Sequence, residues 1–529
     1  MQRPLINESA LGPLRELDSS SLKTGYIASG RWVFIGSMAA KPLQILTFVA
    51  LARVLGPANF GLFGLSNSAA VSLAGLVSFG LDGAANKFVA EYYRRWPEKG
   101  IAFTSLIVWG SIFLSMLVFT VLGFSRESWI LRFFPAHTSL QLVNDCLMLG
   151  WIFVMVTLWN NVLTGLQLFR EIAILGIIQI TLMGVLGLGF GIWKGTNGAM
   201  EGYVLSSICT ALIGAAMIWR IDRRLFRFPW IIQWADLKAI LNFSFPAWLG
   251  YFTIGPVTTL TLSFLGRQPG GAMQMGYMDT ASAVKFIIGI LPAVVTTVLG
   301  PVLIEESGVC GRADAFEKLF ANALMAISFL TIPVLILTLF WSDLLGLIYG
   351  RLYIKSIAVF LPLAGSYALT LSFAPVVLGM VGRNKIWTLQ AFALFYALLL
   401  YGFARLWIPG FLSIGLAWAF FAAQSIYNIT LYEYGVTQGI LPGTARGKYY
   451  GFQVIVTAIL VLAWFLPRTG RWALALPLSM GWAVVSCWQN PMALDWAISA
   501  VPGRFQPALR RASQAFLDKL FRTPFEPIR

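Results

Sequence analysis

The chain has 529 residues, 58% of them hydrophobic and only 11% charged, with a formal net charge of +16. A mean hydropathy of +0.76 belongs to a polytopic membrane protein and excludes an ordinary soluble one. No hydrophilic block is long enough for a soluble nucleotide-binding or catalytic domain. In such a chain the excess Lys and Arg mark cytoplasmic loops rather than a nucleic-acid surface.

Residues 1–29 are polar and mixed in charge, with Glu8, Glu16 and Asp18 among Arg3, Arg15 and Lys23. They lack the basic-then-apolar order of a cleaved signal peptide and are expected to be retained as a cytoplasmic segment. Apolar runs bounded by Gly, Pro or charge then predict fourteen spans. These are 32–53, 60–80, 102–123, 144–166, 172–193, 198–219, 240–264, 275–302, 319–341, 356–380, 386–407, 412–433, 450–467 and 472–489. With the N-terminus inside, inner connections carry about 26 Lys and Arg and outer ones about 10. That asymmetry, with an even number of spans, is expected to place both termini on the cytoplasmic side of the membrane.

The first span holds Lys41 amid apolar residues, with Ser37 and Gln44 on the same helical face. A charge at depth is costly and normally faces a bundle interior or a water-filled cavity. The eighth span repeats the feature, with Ser282 and Lys285 on one face and Gly289 beyond. Each half of the chain thus offers one lysine within the membrane. Asp279 lies six positions before Lys285, about 120° away around the helix, so the two do not form a local pair. Asn67 and Ser68 in span two, Asn160 and Asn161 in span four and Gln179 in span five are candidate hydrogen-bonding partners for a polar ligand or for neighbouring helices. Asp279 is the candidate for ion coupling.

Other segments are less informative about chemistry. The longest outer loop, about 124–143, holds Arg126, Glu127, Arg132 and the single histidine, His137, with no paired carboxylates and no nucleophile–base arrangement. Residues 225–238 mix Trp230 and Trp234 with basic residues and are expected at the inner membrane surface. In the tail Phe505, Leu509, Ala512, Phe516 and Leu520, with Arg510, Arg511 and Lys519, form an amphipathic pattern suited to anionic headgroups. The four cysteines are scattered and imply neither a disulfide framework nor a metal site. No phosphate-binding glycine loop occurs and no cofactor is expected, so any work the chain does would draw on an ion gradient, the membrane potential or consumption of product rather than on bound nucleotide.

The sequence repeats at an offset of about 215 residues. Phe60-Gly-Leu-Phe opens span two and Met275-Gly-Tyr-Met opens span eight; Gly165 answers Gly379, and Asn197-Gly-Ala answers Ile414-Gly-Leu. Six helices per repeat is an even number, so both halves enter from the same side and are related by an axis along the membrane normal. The expected fold is all-α, with about fourteen transmembrane helices as two six-helix lobes plus two C-terminal helices. The corresponding division is 1–29 (cytoplasmic), 30–219 (first lobe), 220–239 (interfacial linker), 240–434 (second lobe), 435–489 (two further helices) and 490–529 (basic amphipathic tail).

The stretches ALARVLGPANFGLFGLSNSA and GLDGAANKFVAEYYRR resemble the opening helices of bacterial polysaccharide exporters and O-antigen flippases. These belong to the multidrug/oligosaccharidyl-lipid/polysaccharide exporter superfamily. The resemblance continues through GLQLFR, MGYMDTASAVKFIIGILPAVVTTVLGPVL, LLGLIYGRLYIKS and VVLGMVGRNK, in family order across residues 30–434. It implies a V-shaped pair of lobes that moves an undecaprenyl-pyrophosphate-linked oligosaccharide across the membrane by alternating access, alongside a polysaccharide polymerase or chain-length regulator. It also implies basic lumenal residues, and Lys41 and Lys285 stand in comparable places, with Gln44 and Asn67 beside them. Two other readings are a multidrug antiporter of the same superfamily, which would want acidic lumenal residues, and a membrane glycosyltransferase or polymerase using the same lipid-linked sugars.

Overall fold

The computed structural model describes residues 19–93, 96–135, 138–228, 234–308 and 313–489, and among them it is helical with no strand. The helices of the first half are α1 (Ser19–Val77), α2 (Leu81–Tyr92), α3 (Pro97–Phe124), α4 (Arg126–Phe133), α5 (Leu140–Gly165) and α6 (Phe169–Ile221). Those of the second are α7 (Trp234–Gly266), α8 (Gly271–Gly308), α9 (Ala313–Phe340), α10 (Leu344–Tyr349), α11 (Ser356–Gly382) and α12 (Ile386–Thr437). Two more follow, α13 (Arg446–Phe465) and α14 (Arg468–Gln489).

Three of these are too long to be single spans. At 59, 53 and 52 residues, α1, α6 and α12 would each reach about 80 Å if straight, against a hydrocarbon core of about 30 Å. Each reverses at one residue with positive φ: Gly56 (73°), Gly195 (64°) and Leu412 (52°). Each therefore makes two crossings, and the chain has about fourteen in all. Among the described residues, nine helices are long and apolar enough to cross a membrane. The three reversals lie at one side of the bundle, here termed the kink face.

The two halves match in backbone detail. After α5, the amides of Leu166, Gln167 and Leu168 donate to the carbonyls of Val162, Thr164 and Leu163; after α11, Arg383, Asn384 and Lys385 donate to Gly379, Val381 and Met380 in the same pattern. Gln167 and Asn384 both take positive φ there, 60° and 56°. This register pairs Gly165 with Gly382, three residues beyond the Gly379 that spacing alone selects, because turn geometry rather than glycine identity fixes the equivalence. The fold is two six-helix lobes with α13 and α14 packed on α9 and α11 of the second.

Packing inside each lobe relies on close approach, as expected where lipid removes the hydrophobic drive between helices. In the first lobe Phe63 meets Tyr203 edge-on at 4.8 Å. In the second, buried Asn428 accepts from Gln424 and donates to the Leu369 carbonyl, tying α12 to α11. The first turn after α6 packs on α3: Leu225 is buried, and Ser105 and Trp109 of α3 donate to the carbonyls of Leu225 and Phe226. Asp222 accepts from Arg224 and from the Tyr93 hydroxyl. The tail pattern of 505–520 and His137 lie outside the described residues.

Candidate functional site

The lobes meet where the second limb of α1 (residues 57–77) runs beside the start of α8. A side chain added at Gly61 would strike the Ala272 carbonyl and the Gly276 amide, and one added at Gly276 would strike the Pro57 carbonyl. Only paired glycines let the two backbones approach so closely. Toward the kink face the contact is sealed by Arg53, whose Nε and Nη2 donate to the carbonyls of Ile348 (2.8 Å) and Leu347 (3.0 Å) at the end of α10. The Tyr353 hydroxyl adds a bond to the Ala52 carbonyl at 2.7 Å. Toward the opposite face α7 closes on the first lobe. There the Trp248 indole donates to the Leu76 carbonyl at 2.7 Å and stacks on Phe79 at 5.0 Å.

Between these contacts lies a cavity of about 280 Å³. Lys41 and Gln44 reach it from the first limb of α1, Asn67 from the second limb, and Asp279 and Ser282 from α8. Four of the five residues singled out by sequence therefore share one cavity. Its apolar wall includes Phe48 and Phe286. The Asp279 carboxylate lies against Gly64, where any side chain would displace it, and its Oδ2 is buried without a hydrogen-bond partner.

Lys285 is the exception. It turns from the cavity into an aromatic cage in the second lobe, its Nζ 5.6 Å from the ring centre of Phe286, 5.9 Å from Tyr367 and 5.9 Å from Phe420. The two lysines are nonetheless linked, because Lys41 Nζ lies 5.5 Å from the same Phe286 ring. Each stands about fourteen residues from the kink-face end of its helix limb, roughly 21 Å at about 1.5 Å per residue, so their depths agree. Cation–π contact with a shared ring holds two like charges near one another.

Of the remaining candidates, Ser68 also lines the cavity, whereas the two asparagines of span four do not. Asn160 and Asn161 bend back to donate to the Val156 and Thr157 carbonyls of their own helix. Ser68 and Ser72 engage Thr259, joining α1 to α7. Phe286, Gly64 and Arg53 are the contributors that spacing did not single out. The repeat offset carries a signal for Gly64, since it maps that residue onto Asp279.

Residues 27–306, more than half the chain, match the family of polysaccharide biosynthesis proteins. The chain belongs to that family. Solved structures share its fold at low identity. The lipid II flippase MurJ, in an inward closed conformation, is 16% identical with a TM-score of 0.68, over 86% of this chain and 99% of that one. An inward-facing multidrug resistance MATE family transporter of the MOP superfamily is also 16% identical, with a TM-score of 0.59 over 77% and 98%. A MOP superfamily transporter from Pyrococcus furiosus, described by a binding pocket of reverse polarity, is 15% identical with a TM-score of 0.57 over 78% and 95%. Among curated proteins no match to the sequence is found. Family and fold agree on a multi-pass membrane protein, with the polar cavity between its lobes.

Proposed function

We propose that this protein is a flippase that carries an undecaprenyl-pyrophosphate-linked oligosaccharide from the cytoplasmic to the periplasmic leaflet of the bacterial inner membrane, with both termini cytoplasmic. The observation that carries the reading is Lys41, a cation at mid-depth in an inter-lobe cavity, with Lys285 at the same level behind one shared ring. A pyrophosphate is the natural complement to two ammonium groups in a partly desolvated setting. Gln44, Asn67 and Ser282 supply hydrogen bonds for sugar hydroxyls.

The cavity is smaller than the ~300–1,000 Å³ of sites that enclose drug-sized ligands, so in this state the lobes are drawn together and an oligosaccharide enters only after they part. Asp279, beside Lys41 in the same cavity, is the proposed coupling group for a proton or cation. Asp279 and the aromatic wall would also suit a cationic drug, yet Lys41 repels one from the same space. The membrane-embedded substrate would be passed to a polysaccharide polymerase on the far side.

The test measures glycan export in cells lacking the native protein, normalised to its membrane abundance. Lys41→Gln is expected to impair export at normal abundance, Lys285→Gln to do so as well, and Arg at either position to retain part of it. Normal export by both Gln variants would overturn the reading.

A further inference from the structure

Beside the polar cavity, across a boundary of side chains, lies a second cavity of about 230 Å³. Its walls come from both lobes: Ala69 and Leu73 on the second limb of α1, Phe134 after α4, Val143 and Cys146 on α5, and Leu260 on α7. The three polar side chains on the wall, Ser72, Cys146 and Thr259, are already paired. Ser72 and Thr259 share a hydroxyl–hydroxyl bond at 2.7 Å, and the Cys146 thiol donates to the Ser66 carbonyl at 3.2 Å. Water entering this space would find few partners, so the chamber favours an apolar group. Leu260 remains 37% exposed, which leaves the chamber unsealed.

The same two helices build the boundary with the polar cavity. Ser68, Thr258 and Leu262 line the polar side, whereas Ser72, Thr259 and Leu260 line the apolar one. Adjacent residues on a helix project about 100° apart, so Thr258 and Thr259 serve different spaces. The boundary is a hydroxyl seam, in which Thr259 Oγ1 lies 2.7 Å from Ser72 Oγ and 3.3 Å from Ser68 Oγ. Such a seam parts without orphaning a polar group, because a serine or threonine hydroxyl can turn back to a carbonyl of its own helix. Ser66 and Thr258 already do so, donating to the Leu62 and Ile254 carbonyls at 2.9 Å.

An occupant of the chamber must be apolar on one side of the seam and continuous with a group suited to Lys41 on the other. A prenyl diphosphate has this layout, with its first branched unit bonded directly to the phosphate. In a phospholipid, glycerol and ester groups stand between phosphate and hydrocarbon, and the ester carbonyls would find no free side-chain donor on these walls. An apolar cavity of about 150 Å³ holds a benzene-sized group, so this larger one takes one or two five-carbon units and not a whole chain. Resting on the flippase reading, we propose that the chamber binds the isoprene units next to the pyrophosphate of the lipid carrier. The pyrophosphate then lies at Lys41, and the remaining chain stays in the bilayer.

The experiment titrates the full chain, purified in detergent, with farnesyl diphosphate, inorganic pyrophosphate and lysophosphatidic acid. Farnesyl diphosphate is expected to bind about tenfold or more tightly than pyrophosphate, the gain from burying a few methylene groups. Ala69→Phe fills the chamber and should remove most of that gain while pyrophosphate binding stays unchanged; Ala69→Leu should remove part of it. Lys41→Gln should weaken both ligands about tenfold, the usual effect of losing a charged hydrogen bond. Farnesyl diphosphate binding undiminished in Ala69→Phe, with the Lys41→Gln effect present, overturns the chamber and leaves the flippase reading standing. Binding of both ligands unchanged in Lys41→Gln overturns that reading and the proposal with it. Lysophosphatidic acid that loses as much affinity in Ala69→Phe as farnesyl diphosphate would make the occupant an ordinary acyl chain, which also overturns the proposal. Should Ala69→Phe fail to fold, a diazirine on the first isoprene unit of farnesyl diphosphate is photolysed on the wild type. Cross-links to the chamber residues of α5 or α7 are expected, and cross-links confined to other helices overturn the proposal.

Discussion

Gly61 and Gly276 occupy equivalent places in the two halves of the sequence, and their backbones touch across the interface between the lobes. Equivalent residues of a duplicated structure meet only on the axis that relates its halves. The second limb of α1 and the start of α8 therefore line the pseudo-two-fold axis, and closure at the kink face pivots on two absent side chains.

Filling that space should hold the lobes apart. Gly61→Val and Gly276→Val are each expected to cost about 1–3 kcal/mol, the usual range for overpacking a close contact. They should also expose the kink-face seal. A cysteine placed at Ala52, buried beside that seal, should react faster with an impermeant thiol reagent in the valine backgrounds than alone; unchanged labelling would show that the glycines do not govern closure.

The Gly64–Asp279 contact gives a second expectation. Gly64→Ala forces the carboxylate to move, whereas Gly64→Ala together with Asp279→Ala removes the collision. The pair should show coupling of about 0.5–3 kcal/mol in thermal unfolding, the double variant being more stable than the sum of the singles. Strict additivity would mean that the carboxylate is free to swing away.

Backbone geometry alone sets the third. Nothing lies within 4 Å of a side chain built on Gly195, yet its φ is +64°. Gly195→Ala should therefore destabilise by about 1–3 kcal/mol through strain rather than collision. Gly402→Ala, in open space on α12 without positive φ, is the control expected to leave the unfolding temperature unchanged or slightly raised.

The turn after α6 should respond to acid. Partial burial favours the neutral acid of Asp222, but hydrogen bonds from the Arg224 side chain and amide and from Tyr93 more than offset it and hold the carboxyl below its ordinary range. A lowered folded-state pKa contributes stability above the unfolded value, about 3.9 for Asp, which is lost as pH falls through the folded one. Asp222→Asn should accordingly lower the unfolding temperature at pH 7 and narrow its gap to wild type near pH 3. A gap that stays constant with pH would show that the carboxylate charge is not what holds the turn.

Much of this architecture was legible in the sequence because the bilayer fixes span length and makes each buried charge conspicuous. Lys41, Gln44, Asn67 and Asp279 stood out for that reason, and they converge. The direction of Lys285 was not legible. Its cage is built by Tyr367 and Phe420 from α11 and α12, and helical spacing within α8 does not reveal which distant aromatics will meet it. Nor did composition separate Asn160 and Asn161 from cavity residues, since an amide that folds back on its own helix has the same sequence signature as one that faces a substrate. The packing of the 223–226 turn on α3 is not legible either, because its aromatic and basic residues suit a headgroup layer as well as the end of a neighbouring helix.

The ring shared by the two lysines sets a division of labour. Phe286 and Lys285 belong to the same helix, while Lys41 belongs to the other lobe. On the proposed alternating-access reading, separation of the lobes would leave Lys285 among its aromatic neighbours and take Lys41 off the ring. One positive charge would then be a fixed landmark of the second lobe and the other mobile relative to it, so that a bound anion spanning both would register the distance between the lobes.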